Sequence, residues 1–253
     1  MKELEGKAAL VTGGSRGIGR GIAVSLGAAG ALVAVNFARN REAAEQAVAE
    51  IEAAGGRALA IQTDLESEGA AGALATALKG ELERRGHGGL DILVNNVGRA
   101  EPGSVAYTTA DIFDRMIRVN LRAAFLLTSA LIPQLNDGGR VINITSTASR
   151  LANPEFAAYA ISKGALDTFT RILSKELAPR RITVNTVSPG YTRTDQVAGV
   201  ISDPVKAKML ADSTLLKRLG EPDDIGDFVR ALSSSAGRWV TGQLIEVSGG
   251  FRV

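Results

Sequence analysis

Short apolar runs alternate along the chain with longer stretches whose apolar positions recur every three to four residues. The runs at 7–12 (KAALVT), 31–36 (ALVAVN), 58–62, 90–95 (LDILVN), 140–145 (RVINIT), 181–187 (RITVNTV) and 243–247 have strand length. Helical spacing occupies 17–29, 42–54, 70–85, a long stretch within 110–135, and the segment between Asn153 and Pro179. Asn153 can cap that last helix, Pro154 suits a first turn, and Pro179 cannot continue it. Wholly apolar strands alternating with helices predict an α/β chain, a doubly wound parallel sheet covered on both faces, in a single domain over 1–253. Right-handed crossovers then bring the strand C-termini to one edge, where ligands bind. Residues 191–212 lack strand character and carry Gly199 and Pro204, which predicts a substrate-binding flap over that edge.

Composition narrows the chemistry. Of 253 residues 29 are glycine, above the roughly 7% usual for globular chains, which points to turns and close backbone approaches. There is no cysteine and one histidine, His87, so thiolate nucleophiles, disulfides, Cys-ligated metal and a Ser-His-Asp triad are excluded or disfavoured. No metal site is expected. A net charge of +2 without a basic run predicts no nucleic-acid partner. With no uninterrupted apolar stretch of membrane length and no leader-like N-terminus, the expectation is a cytoplasmic protein without a membrane partner.

Between the first strand and the first helix the chain reads Thr12-Gly13-Gly14-Ser15-Arg16-Gly17-Ile18-Gly19. Glycines there let the backbone turn sharply and approach a pyrophosphate, and the helix N-terminus offers free N–H groups to it. The spacing departs from the common Gly-x-Gly-x-x-Gly, and the Lys-Ser ending of a P-loop NTPase is missing. The second strand ends in Asn36-Phe37-Ala38-Arg39, with no carboxylate for a ribose 2′-hydroxyl and with Arg39 and Arg16 available for a 2′-phosphate. NADP(H) is therefore predicted over NAD(H).

Tyr159 and Lys163 lie four apart on one helix and share a face. An ammonium beside a phenol favours the phenolate, so Lys163 is expected to lower the Tyr159 pKa toward the working range of a general acid/base. Ser146 adds a hydroxyl at the ligand edge of the sheet.

These residues, in this order, carry a resemblance to the short-chain dehydrogenase/reductase family over essentially the full chain: Thr12-Gly13-x3-Gly17-x-Gly19, Asp64, Asn95-Asn96-Val97-Gly98, Asn120, Ser146, Tyr159-x3-Lys163 and Pro189-Gly190. The resemblance implies a seven-stranded Rossmann-type sheet and an oxidoreductase moving a hydride between a nicotinamide and a ketone or secondary alcohol. It implies Tyr159 as the general acid, Ser146 as the group that orients the carbonyl, and Lys163 on the nicotinamide ribose. Asn120 would hold a water that relays protons. Gly13, Ser15, Arg16, Gly17, Ile18 and Gly19 would line the pyrophosphate side, with Asn36 and Arg39 at the adenosine ribose. Asp64, Leu65, Asn96 and Gly98 would line the adenosine side, and Pro189, Gly190, Thr192 and Thr194 the carboxamide side. Val97 departs from the family's usual alanine.

The ending of the second strand is most similar to bacterial 3-oxoacyl-[acyl-carrier-protein] reductases and their relatives acting on small ketones, sugars or aromatic polyketides. An acyl-carrier partner would want a basic patch, with Arg99, Arg122, Arg150 and Arg193 as candidates. The resemblance also implies a homotetramer, through apolar faces carrying Phe125, Leu126 and Ile132 and Leu166, Phe169 and Leu173. Competing readings are an NAD(H)-dependent alcohol or sugar dehydrogenase of the same family, an epimerase or dehydratase, and a non-catalytic dinucleotide-binding protein.

Overall fold

Along β1 (Ala8–Val11) every residue is buried, and successive side chains enter different cores. Ala8 and Leu10 belong to a core with Leu74 and Leu78 and with Leu127 and Leu173, while Ala9 and Val11 belong to one with Ile22, Leu26 and Ile51 and with Val229. A strand apolar on both sides must be covered on both sides, as the wholly apolar runs require. The structure is a computed structural model and describes residues 2–252.

With β2 (Leu32–Phe37), β3 (Arg57–Gln62), β4 (Leu90–Asn95), β5 (Leu135–Ile144), β6 (Thr183–Pro189) and β7 (Leu244–Val247), β1 forms one parallel sheet in the order β3-β2-β1-β4-β5-β6-β7. The regular part of β5 begins at Arg140, after a register shift against β4. The order reverses between β1 and β4, so the crevice at their C-terminal ends is the topological switch point where ligands bind in such sheets.

One face is covered by α1 (Gly17–Ala28), α2 (Arg41–Ala53) and, late in the chain, α10 (Pro222–Ser233). The other face carries α3 (Ala70–Arg84), a helical run over 110–134, and α7 (Ala157–Leu177). That run is not one continuous α-helix: α4 (Ala110–Ile117) and α5 (Ala123–Leu131) are joined by a π-helical turn at Arg118–Arg122. Ala110–Gln134 is long and apolar enough to cross a membrane by length and composition, yet Asn120, Leu127 and Leu131 lie buried in the protein interior.

Three expectations change. The helix after Asn153 begins only at Ala157: the Asn153 side chain accepts from the Glu155 N–H in a turn that precedes the helix, and Pro154 sits in that turn. The segment expected to form a flap, 191–212, holds two short helices, α8 (Ala198–Ile201) and α9 (Pro204–Asp212), the second capped by Asp203. The helix α10, absent from the sequence reading, opens with Pro222 at its start and a capping box between Glu221 and Asp224. The remaining helix, α6 (Ala148–Leu151), is a single turn that leads from β5 toward α7.

Candidate active site

The two strand ends at the switch point are stitched together. Thr12 Oγ1 accepts from the backbone N–H groups of Asn96 (2.9 Å) and Val97 (3.1 Å), and Asn96 Nδ2 donates to the Thr12 carbonyl at 2.8 Å. The glycine turn follows. Gly17 has φ +54°, a left-handed conformation that favours glycine, and a Cβ on Gly19 would stand 2.3 Å from the Gly13 carbonyl oxygen. Arg16 precedes α1 in extended conformation without a side-chain cap, and the first turn of α1 carries no acidic residue, so its N–H groups and positive dipole end face the crevice unneutralised.

Asn36 faces inward. Its Oδ1 accepts from the Gly13 N–H at 3.3 Å, and its Nδ2 donates to the carbonyls of Ile61 (3.3 Å) and Thr63 (3.1 Å). Its side chain therefore holds the glycine turn to the end of β3. Arg39 is 87% exposed at the rim, 3.5 Å from the Asp64 carboxylate. The other Asp64 oxygen accepts from the Glu66 N–H, and Leu65 is buried.

At the opposite end of the crevice Lys163 is buried, and its Nζ donates to the Ile144 carbonyl at 2.9 Å. Burial lowers its pKa from 10.5 to about 8 against the opposing pull of Asp167. The ammonium lies 6.0 Å from the centre of the Tyr159 ring. Burial also raises the Tyr159 pKa; the Ser146 hydroxyl beside it opposes the rise and Tyr191 adds to it. The expected lowering of the Tyr159 pKa is thus reversed in the chain itself, because removing the phenol from water outweighs the neighbouring groups. The phenol is held in its protonated form.

Asn120 sits in the π turn, fully buried. Its Oδ1 accepts from the Arg99 N–H (2.8 Å), and its Nδ2 donates to the Arg99 carbonyl (2.9 Å) and to Ser162 Oγ (2.9 Å). Ser162 in turn donates to the Tyr159 carbonyl at 2.7 Å. Ser162 is a linking residue that sequence reasoning missed; its signal is its place directly before Lys163. The crevice is bounded on the far side by Gly190, where a Cβ would stand 2.9 Å from the Ser248 Cβ, and by buried Thr192. Thr194 completes that wall, its methyl 3.2 Å from where a Cβ on Gly17 would lie. The segment over 191–212 meets the opposite wall through Gln196 Nε2, which donates to the Gly98 carbonyl at 3.0 Å.

The fold therefore brings the residues singled out from the sequence to one edge, from Arg39, Asp64 and Leu65, past Gly13–Gly19, Asn96 and Gly98, to Asn120, Ser146, Tyr159, Lys163 and Pro189–Thr194. His87 lies at the other edge, before β4, where its backbone N–H donates to the Leu82 carbonyl.

Known proteins resemble this chain throughout. A family model described as Enoyl-(Acyl carrier protein) reductase matches residues 13–252. The chain is 41% identical to a versicolorin reductase of Emericella nidulans, over 98% of this chain and 96% of that one. Among solved structures it is similar to the promiscuous reductase LugOII, which catalyses keto-reduction at C1 during lugdunomycin biosynthesis (44% identity, TM-score 0.95, covering 99% of this chain and 100% of that one). It is also similar to the landomycin C-6 ketoreductase LanV with bound NADP and rabelomycin (41% identity, TM-score 0.90, covering 99% and 98%). Matched across nearly all of its residues in both sequence and fold, the chain belongs to the short-chain dehydrogenase/reductase family of oxidoreductases.

Proposed function

We propose that the protein is an NADP(H)-dependent ketoreductase acting on a free polycyclic aromatic ketone, with Tyr159 as general acid. The observation that carries this reading is the protonated phenol of half-buried Tyr159 beside the Ser146 hydroxyl and the Lys163 ammonium, at the end of a crevice whose far rim presents Arg39. The crevice suits a dinucleotide. The first turn of α1, which follows the glycine turn, has no side-chain cap and no acidic residue, and Gly98 leaves open a space in which a Cβ would stand 2.9 Å from Lys163 Nζ.

When bound, the reduced nicotinamide supplies the hydride. Tyr159 donates its proton to the substrate oxygen as negative charge develops there, and the Ser146 hydroxyl donates a hydrogen bond to the same oxygen. Lys163 carries a fixed positive charge that stabilises the phenolate left behind. With its pKa near 8, it can also return a proton close to neutral pH. Asn120 holds the segment at Arg99 against α7 and so keeps the wall of the crevice in register.

An acyl-carrier partner is less well supported than a free ketone. Three of the four candidate arginines are paired with carboxylates: Arg99 with Glu101, Arg150 with Glu246 and Arg193 with Glu221. The flap and the segment after it instead offer exposed Val205, Met209, Leu215 and Leu216, and Tyr191 packs edge-on against Phe251 at 5.3 Å. These groups suit a flat apolar substrate. LanV, solved with rabelomycin bound, and the versicolorin reductase favour the same class.

A homo-oligomer belongs to this reading, with its contact surface revised. Leu166 and Leu173 are buried within their own chain, whereas Phe125, Leu126, Ile161 and Ile172 point outward, and Phe125 packs on Phe169 at 5.2 Å. A sizing measurement that returns a monomer would remove the oligomer.

The test is oxidation of NADPH and of NADH against a panel containing rabelomycin, simple ketones and a 3-oxoacyl thioester. Preferred use of NADPH with the ring ketone is expected. Preference for the thioester would overturn the substrate class, and equal use of NADH would overturn the cofactor preference.

A further inference from the structure

Asp167 is a buried carboxylate that the mechanism above does not use. It lies on α7 one helical turn beyond Lys163, 6% exposed, and its Oδ1 has no hydrogen-bond partner. The Thr145 and Ser149 hydroxyls stand beside it, and Thr145 Oγ1 is likewise buried without a partner. Thr145 directly follows Ile144, whose carbonyl anchors Lys163 Nζ. The charged groups that act on Asp167 are Lys163 and Arg171, both on its own helix; the β5–α6 segment packed against it contributes only the two hydroxyls.

We propose that Asp167 is a positioning residue for the reaction, its carboxylate serving as the internal counter-charge of the Lys163 ammonium beside Tyr159. This rests on the reading of Lys163 given above. An asparagine would fill the same space without a buried charge, so packing alone does not account for the carboxylate. Its place does: one helical turn from Lys163 on the same helix, it is buried with a free oxygen beside the segment that anchors Lys163 Nζ, and there it opposes the loss of the ammonium's charge that burial favours. Burial pushes the Asp167 carboxyl up, and the two hydroxyls and the two cations hold it down. The ammonium therefore relies on Asp167, while the carboxylate is held chiefly by the two hydroxyls, with the cations adding less.

The experiment is NMR titration of the full chain labelled at the lysine side chains, with the Lys163 resonance assigned by its loss in Lys163→Met. In Asp167→Asn the Lys163 titration should move down by about one pH unit, and Asp167→Glu should restore most of it. The alkaline limb of the kcat/KM profile with NADPH and ketone should move with it. A purely structural role would lower activity at every pH and leave the titration in place. An unmoved Lys163 titration in a folded Asp167→Asn protein overturns the proposal. If that variant does not fold, Thr145→Val serves instead: losing a hydroxyl beside the carboxylate should raise the pH at which Asp167 takes up a proton, and an unmoved acid limb would overturn the proposal. The NMR readout needs no substrate, so failure of the ketone assays would leave it standing, and a flat titration with intact ketoreduction would reject this inference alone.

Discussion

A Cβ on Gly98 would stand 2.9 Å from Lys163 Nζ and 3.3 Å from Asn120 Oδ1. The nearest obstacle is the tip of a flexible side chain, so the fold can accommodate a methyl group there. The proposed chemistry cannot, because that tip is the ammonium held at the Ile144 carbonyl beside Tyr159. Gly98→Ala should shift the melting temperature by only about a degree or two and lower kcat by about tenfold or more, as expected for a small misplacement of an acting group. Calorimetry and steady-state kinetics on one preparation check both halves.

With Tyr159 as the proposed proton donor, partial withdrawal of its phenol from water raises its pKa. Tyr159→Phe keeps the ring and removes the proton. Turnover should fall by about 10²–10⁴-fold while NADPH binding stays within a factor of a few. Retained turnover would reject the acid assignment. Below its pKa the phenol stays protonated, so reduction should not lose activity at neutral pH through this group.

Lys163 carries a stability cost that its proposed role requires. Its pKa falls from 10.5 to about 8 in the fold, so between those values the unfolded chain binds more protons, and stability should rise with pH through that window. Below pH 8 the full cost is present. Lys163→Met combined with Asp167→Asn, so that no buried carboxylate is left without its counter-charge, removes it and should gain about 2 kcal/mol near neutral pH, allowing for the lost bond to Ile144. The gain should shrink as the pH approaches the ordinary lysine value, and the variant should be catalytically inert. Urea unfolding at neutral and at alkaline pH decides it.

Arg39 is exposed and pairs with the Asp64 carboxylate, so its loss should leave stability within about 0.5 kcal/mol. Arg39→Asp would set a second carboxylate beside Asp64 where a 2′-phosphate is proposed to sit. The KM for NADPH should rise by about tenfold or more with little change for NADH. An unchanged ratio of the two kcat/KM values would refute the reading of the β2 ending.

Much of this was legible in the chain. All seven strands coincide with the short runs, and β1, β2, β4 and β6 are buried along their whole length, polar positions such as Asn95, Asn185 and Thr186 included. The glycine turn and the Tyr159–Lys163 spacing mark the crevice. The π turn at Asn120 carries no local signal: its amide is held by Arg99 and Ser162, distant in sequence. Asn36 has the right chemistry for a ribose contact, but its orientation is set by the carbonyls of Ile61 and Thr63. The direction of the Tyr159 shift depends on burial, which spacing along a helix does not encode. The helix α10 differs, since Pro222, the Glu221–Asp224 box and the apolar spacing of Ile225, Val229 and Leu232 were all readable.

That helix also holds the dinucleotide end of the site in place. It crosses α1 backbone to backbone: a Cβ on Gly226 would lie 2.5 Å from the Gly21 carbonyl oxygen, and one on Gly21 would lie 2.7 Å from the carbonyl of Pro222. Backbone cannot swing aside as a lysine tip can, so Gly226→Ala must push the helices apart. It should cost about 2–3 kcal/mol, a fall of roughly 5–10 °C in Tm. Because α1 carries the glycine turn at its N-terminus, NADPH affinity should weaken as well. The same change at Gly80, inside α3 with nothing within 4 Å of its Cβ, should instead stabilise by about 0.5–1 kcal/mol. Opposite signs for one substitution in two helices would show that the crossing, not helix propensity, sets the outcome; a stable Gly226→Ala protein with full NADPH affinity would reject it.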